Sequence, residues 1–172
     1  RKDQEPAQDG RMVLYAPDVA QGPDGRYYLY YVMDKVGFVS VAVCDKPAGK
    51  YEFYGYVHYS DGTRLGDRKG DMPQFDPGVI REGDKTYLYT GFCGRGMKDR
   101  IGCMATTLGP DMLTIIEEPV VVAPGDMYVN LKDAGEVTTG CPYPLKSIQN
   151  WAGFKDHAFF EAPSIRKIGD TY

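Results

Sequence analysis

Three carboxylates in this chain stand near a proline at the head of a repeated, strand-like stretch. Asp18 follows Pro17, Asp76 precedes Pro77, and Glu161 lies two before Pro163. Carboxylates crowded into one cavity cannot all ionise freely: one holds its proton while another stays charged. Cleavage of a glycosidic bond needs that division. One acid protonates the leaving oxygen and one base activates water, and in an inverting enzyme the pair stands about 6.5–9.5 Å apart to admit that water. An Asp beside a proline is also an ordinary turn residue, and Asp18 and Asp76 read equally well as strand caps. Glu161 differs. Phe159, Phe160 and Ala162 give it apolar neighbours just before a strand, a setting that suits a proton donor. Asp24, Asp84 and Asp170 fall in turns and carry no such signal.

The elements that must position these acids repeat. Aligned on the three prolines, Asp18-Val19-Ala20-Gln21 coincides with Gly78-Val79-Ile80-Arg81 and with Ser164-Ile165-Arg166-Lys167. Turns follow at Pro23-Asp24-Gly25, Gly83-Asp84 and Gly169-Asp170, and then tyrosine-rich runs at 27–31, 86–89 and 171–172. Each unit reads as a β-hairpin. The first two units continue into further strands, at 37–44 and 51–58 and at 100–107 and 113–122. Four strands in roughly sixty residues predict the blades of a propeller. No stretch sustains the i, i+3, i+4 apolar pattern of a helix.

The fold class is therefore all-β, part of a β-propeller. Blades fall at 13–58 and 75–122, the tail of an earlier unit at 1–12, and the start of another blade at 160–172. A propeller closes with at least four blades, so further blades of the same protein are the expected partners of these. The innermost strand of a blade starts at one mouth of the ring, and this geometry would aim Asp18, Asp76 and Glu161 at one cavity. The long connection 124–159, which carries Trp151 and His157, would lie across a mouth.

Composition narrows the partners. The formal charge is −4 and no Lys/Arg stripe is present, so nucleic acid is not an expected partner. The longest apolar run, near 120–123, is too short to cross a bilayer. Cys44, Cys93, Cys103 and Cys141 form no C-x-x-C pair; they suggest no zinc site and read as reduced core thiols. The 14 tyrosines suit strands, and some suit stacking on sugar faces. Arg1 is an unusual first residue, so the sequence is expected to begin inside a longer protein.

The motifs "YAPDVAQGPDGRYYLYY", "QFDPGVI" and "FFEAPSIRK" together resemble glycoside hydrolase family 43, over residues 13–172. The resemblance implies a five-bladed propeller that hydrolyses β-xylosidic or α-L-arabinofuranosidic bonds of plant hemicellulose with inversion. It implies Glu161 as the general acid and Asp76 as the carboxylate that tunes and orients it. Tyr15 stands where the family usually has Trp, and Asp18 becomes a pocket wall rather than a third catalytic acid. The candidate substrate-binding residues are Tyr15, Asp18, Phe75, Phe160 and His157. The implied general base belongs to a first blade outside this sequence, and neither Asp3 nor Asp9 replaces it. The last blade and its arginine are absent too, so these residues alone are expected to be inactive. No cofactor is expected. Some family members hold calcium in the channel of the complete ring, but neither His58 nor His157 matches that motif, and no metal ligand is predicted. The expected partner is an oligo- or polysaccharide. Two other readings stay open: a non-catalytic carbohydrate-binding propeller, and a related glycoside phosphorylase, for which no Arg/Lys/His phosphate cluster is visible.

Overall fold

Alternating apolar residues, punctuated by turns at Gly25 and Gly83, draw the chain into eight strands. Both glycines have positive φ, 83° and 60°, which tight turns demand and L side chains resist. The computed structural model describes residues 13–33, 37–69, 71, 74–91, 102–125 and 159–172. The strands are β1 (Leu14–Gln21), β2 (Tyr27–Met33), β3 (Val39–Cys44), β4 (Glu52–Tyr56), β5 (Gly78–Glu82), β6 (Lys85–Gly91), β7 (Gly102–Leu108) and β8 (Ile115–Pro124). They form two four-stranded antiparallel sheets, β1-β2-β3-β4 and β5-β6-β7-β8. The architecture is all-β, and among the described residues there is no helix. Consecutive strands pairing in sequence order is the meander of a propeller blade.

Boundaries shift by a few residues from the sequence reading, for local reasons. β4 stops at Tyr56 rather than 58 because the chain then crosses to the second sheet. The His58 amide donates to Leu113 O at 3.1 Å, and the Ile115 amide donates to His58 O at 2.8 Å. β5 starts at Gly78, as read, directly after Pro77, which has no N–H to give the ladder. The third unit, read as a hairpin, shows only its two-residue turn at Gly169-Asp170, where Ile168 and Thr171 exchange backbone hydrogen bonds; residues 160–167 form no strand.

The two sheets share one core. Tyr30, Val32, Val39 and Val41 from the first pack with Val79, Leu88, Leu108 and Ile115 from the second. Burying each of these side chains contributes about 1.5–3 kcal/mol. The Tyr30 hydroxyl, fully buried, donates to Met112 O in the β7–β8 turn at 2.8 Å, so its polar tip is satisfied across the sheet interface.

The connection after β4 is fastened by one acid. The Asp71 carboxylate accepts from the Tyr59 hydroxyl at 3.0 Å, from the Gly66 amide at 2.9 Å and from the Arg68 amide at 3.3 Å. Arg68 lies 3.8 Å above the Tyr59 ring and pairs with Glu118 of β8 at 2.7 Å. A buried charge needs such donors, and here they make an irregular segment into a strap between the sheets.

Candidate active site

The site grows from a kink written three times. Ala16, Asp76 and Ala162 have φ of 41°, 47° and 61°, and each immediately precedes its proline. Positive φ is uncommon for residues with a β-carbon. In β1 the pairing steps from Tyr15↔Val32 to Asp18↔Tyr30, leaving two residues opposite one, a bulge. The second unit makes the same step. The Gly91 amide donates to Phe75 O at 3.1 Å, and the ladder resumes at Gly78↔Tyr89. Tyr15, Phe75 and Glu161 therefore occupy one equivalent place, just before the kink, while Asp76 stands on the kink itself.

The kinks bring the second and third units together. Asp76 is only 7% exposed, and its carboxylate accepts a hydrogen bond from the Ala162 amide. Burial first, and then the charge of Glu161, push the Asp76 carboxyl above its ordinary value; the Ala162 amide pulls part of the way back. Glu161 is exposed beside it. The approach of the third unit to β5 requires a missing side chain: a β-carbon on Gly78 would stand 2.5 Å from Pro163 O. Gly91 likewise leaves room for the Phe159 ring, two residues before Glu161. Tyr15 and Phe75 pair with ring centroids 5.4 Å apart, tilted by 43°. Phe160 is 57% exposed.

Asp18 is engaged differently. Its Oδ2 accepts from the Val79 amide at 2.8 Å and from Arg166 Nη1 at 3.3 Å, and its Oδ1 accepts from Arg166 Nη2 at 2.9 Å and from the Val19 amide at 3.0 Å. The structure thus groups Asp76 with Glu161 and Tyr15 with Phe75, and ties Asp18 to the other two units. Arg166 was not singled out from the sequence. The available signal was a charge at a repeat position that holds Ala20 and Ile80 in the other units. His157, Asp3, Asp9, Trp151, Cys93 and Cys141 lie outside the described residues. Cys44 and Cys103 are free thiols, and burial pushes Cys103 up to about 12.

Among the described residues no group of three or more His, Cys, Asp or Glu side chains could hold a metal ion. His58 Nδ1 lies 2.8 Å from Tyr59 O where the sheets join.

The sequence profile of glycosyl hydrolases family 43 matches residues 1–172, the whole chain. The chain belongs to glycosyl hydrolase family 43. A family relative from Thermoclostridium stercorarium, named "Xylosidase/arabinosidase", is 62% identical over 173 residues, covering 100% of this chain and 32% of that protein. An extracellular endo-α-(1→5)-L-arabinanase from Thermotoga petrophila is 33% identical over 98 residues, covering 47% of this chain and 21% of that one. The family 43 fold is shared with a solved β-xylosidase/α-arabinofuranosidase from a compost microbial metagenome, in complex with xylotriose. That match has a TM-score of 0.55 at 23% identity and covers 91% of this chain and 46% of that one. This family 43 chain spans less than half of each of these proteins.

Proposed function

We propose that the protein carrying this chain is an inverting glycoside hydrolase acting on β-xylosidic or α-L-arabinofuranosidic bonds. Glu161 is the general acid and Asp76 the carboxylate that tunes and orients it. The observation that carries this reading is the pairing across two units. A buried carboxylate on one unit feels the charge of an exposed carboxyl on the next, and is joined to it through the Ala162 amide. The 62% identical relative named for xylosidase and arabinosidase activity supports the substrate class.

In the forward reaction Glu161 gives its proton to the leaving glycosidic oxygen as the bond to the anomeric carbon breaks. A water attacks that carbon from the opposite face and loses its proton to a base supplied from outside these residues. Asp76 holds the Ala162 amide and so fixes the backbone that presents Glu161. Tyr15 and Phe75 offer an aromatic wall for the flat face of a sugar ring.

Glu161→Gln in the intact protein is expected to lower hydrolysis of unactivated xylo- or arabino-oligosaccharides by about 10²–10⁴-fold. Aryl glycosides with good leaving groups, which need little protonation, should lose far less. A variant that keeps the wild-type rate on unactivated substrates would remove Glu161 from the acid role.

A further inference from the structure

We propose that Asp18 is a positioning residue that sets the separation of Asp76 and Glu161 by fastening together the two segments that carry them. Its catalytic consequence rests on the hydrolase reading above; its structural consequence does not.

One carboxylate reaches both segments. The Val79 amide that donates to Asp18 lies three residues after Asp76, and Arg166 lies five residues after Glu161. The Asp18 side chain is 13% exposed and the Arg166 side chain 59%, so the acid is the anchored member and the guanidinium reaches in to it. Two guanidinium nitrogens engage two carboxylate oxygens, a geometry that fixes orientation as well as distance.

The sequence repeat supports a dedicated pair. At the Asp18 position the other units have Gly78 and Ser164; at the Arg166 position they have Ala20 and Ile80. Among the differences between the units, these two meet in one ion pair. Gly78 is also the residue whose missing side chain lets β5 approach Pro163, so the tie and the close approach act at the same level of β5.

A second link between the third unit and β5, Lys167 to Glu82, sits at the far end of that strand. Loss of the Asp18 tie therefore leaves the third unit docked while its site end is free to shift. Small displacements matter for proton transfer. A misplacement of about 1 Å can lower a rate on the order of 10²-fold.

The test compares wild type, Asp18→Asn and Arg166→Lys in the intact protein. Asparagine can still accept from the Val79 amide but presents one oxygen to Arg166; lysine keeps the charge but not the two-nitrogen grip. Both variants are expected to lower kcat on unactivated oligosaccharides, Asp18→Asn on the order of 10²-fold, with KM within about twofold. The double variant should be little worse than the worse single one, because both changes cut the same tie. Carboxyl carbon NMR of ligand-free protein should show the Asp76 midpoint falling toward its ordinary value in both variants, as Glu161 moves away and water enters. A role confined to stability would lower Tm while leaving the Asp76 midpoint and the kcat of folded protein unchanged, and that result overturns the proposal. Should Asp18→Asn fail to fold, Arg166→Lys carries the same readouts. A wild type that hydrolyses no glycoside would sink the hydrolase reading, while the Asp76 titration still decides the role of Asp18.

Discussion

Asp76 combines a left-handed backbone, near-complete burial and a carboxylate neighbour. The last two work against a charged aspartate. Its folded carboxyl sits above the ordinary value, so the stability it contributes is fully present below the unfolded pKa and is lost as pH rises through the folded one. Asp76→Asn cannot ionise, keeps an oxygen for the Ala162 amide and tolerates positive φ. The variant should therefore melt higher than wild type at pH 7, with the gain shrinking toward pH 3, while hydrolysis falls. Calorimetry across that range checks it; a gain that ignores pH would show that ionisation is not its source. Such trade-offs of stability for activity are common where a site needs a disfavoured charge. That Asp76 and Glu161 would meet was legible because each lies near a proline in a repeated motif. The tie between Asp18 and Arg166 was not, because it joins residues 148 apart and shows only as two departures from the repeat.

Strands and turns were the most legible elements. Alternation reports which face of a strand is buried, and Gly/Asp turns report where it ends, so both hairpins and the four-strand period could be read directly. The strap after β4 could not. Its order comes from side chain to backbone bonds around Asp71, and a polar loop has no period to reveal them. Asp71→Ala leaves the Tyr59 hydroxyl and the Gly66 and Arg68 amides without their acceptor. It should lower stability by about 2–4 kcal/mol in urea melts with an unchanged m-value. A loss under about 0.5 kcal/mol, the range of ordinary surface changes, would mean that the strap is held by the Arg68–Glu118 pair instead. Ser40 makes the opposite prediction. Its hydroxyl is buried in β3 and has no hydrogen-bond partner among the described residues. Ser40→Ala should be neutral or stabilise by up to ~1 kcal/mol, since it removes an unsatisfied polar group. A clear loss of stability in the same melts would show that the hydroxyl has a partner.

At the scale of the molecule, the two sheets are expected to unfold together. Their shared core and the Tyr30–Met112 bond cross the interface between them. Tyr30→Phe strips a buried carbonyl of its donor and should cost about 1–3 kcal/mol. Hydrogen exchange would then quicken equally in β2 and β6; a change confined to β2 would show that each sheet opens by itself. The blade architecture was visible in the sequence because it is a repeat. What binds the blades to one another was not, because those contacts join unlike residues from different units.

The tie at Asp18 also has a place in time. Val79 follows Asp18 by 61 residues and Arg166 by 148. At about 5–20 residues per second, the guanidinium leaves the ribosome about 7–30 s after its acid. Both sheets can mature in that interval, with Asp18 already holding the Val79 amide and its other oxygen waiting. The segment that bears Glu161 is then the last of this stretch to be locked. A chain halted short of residue 166 is expected to carry folded blades with an unheld acid, resistant to protease in its first two units and sensitive after them.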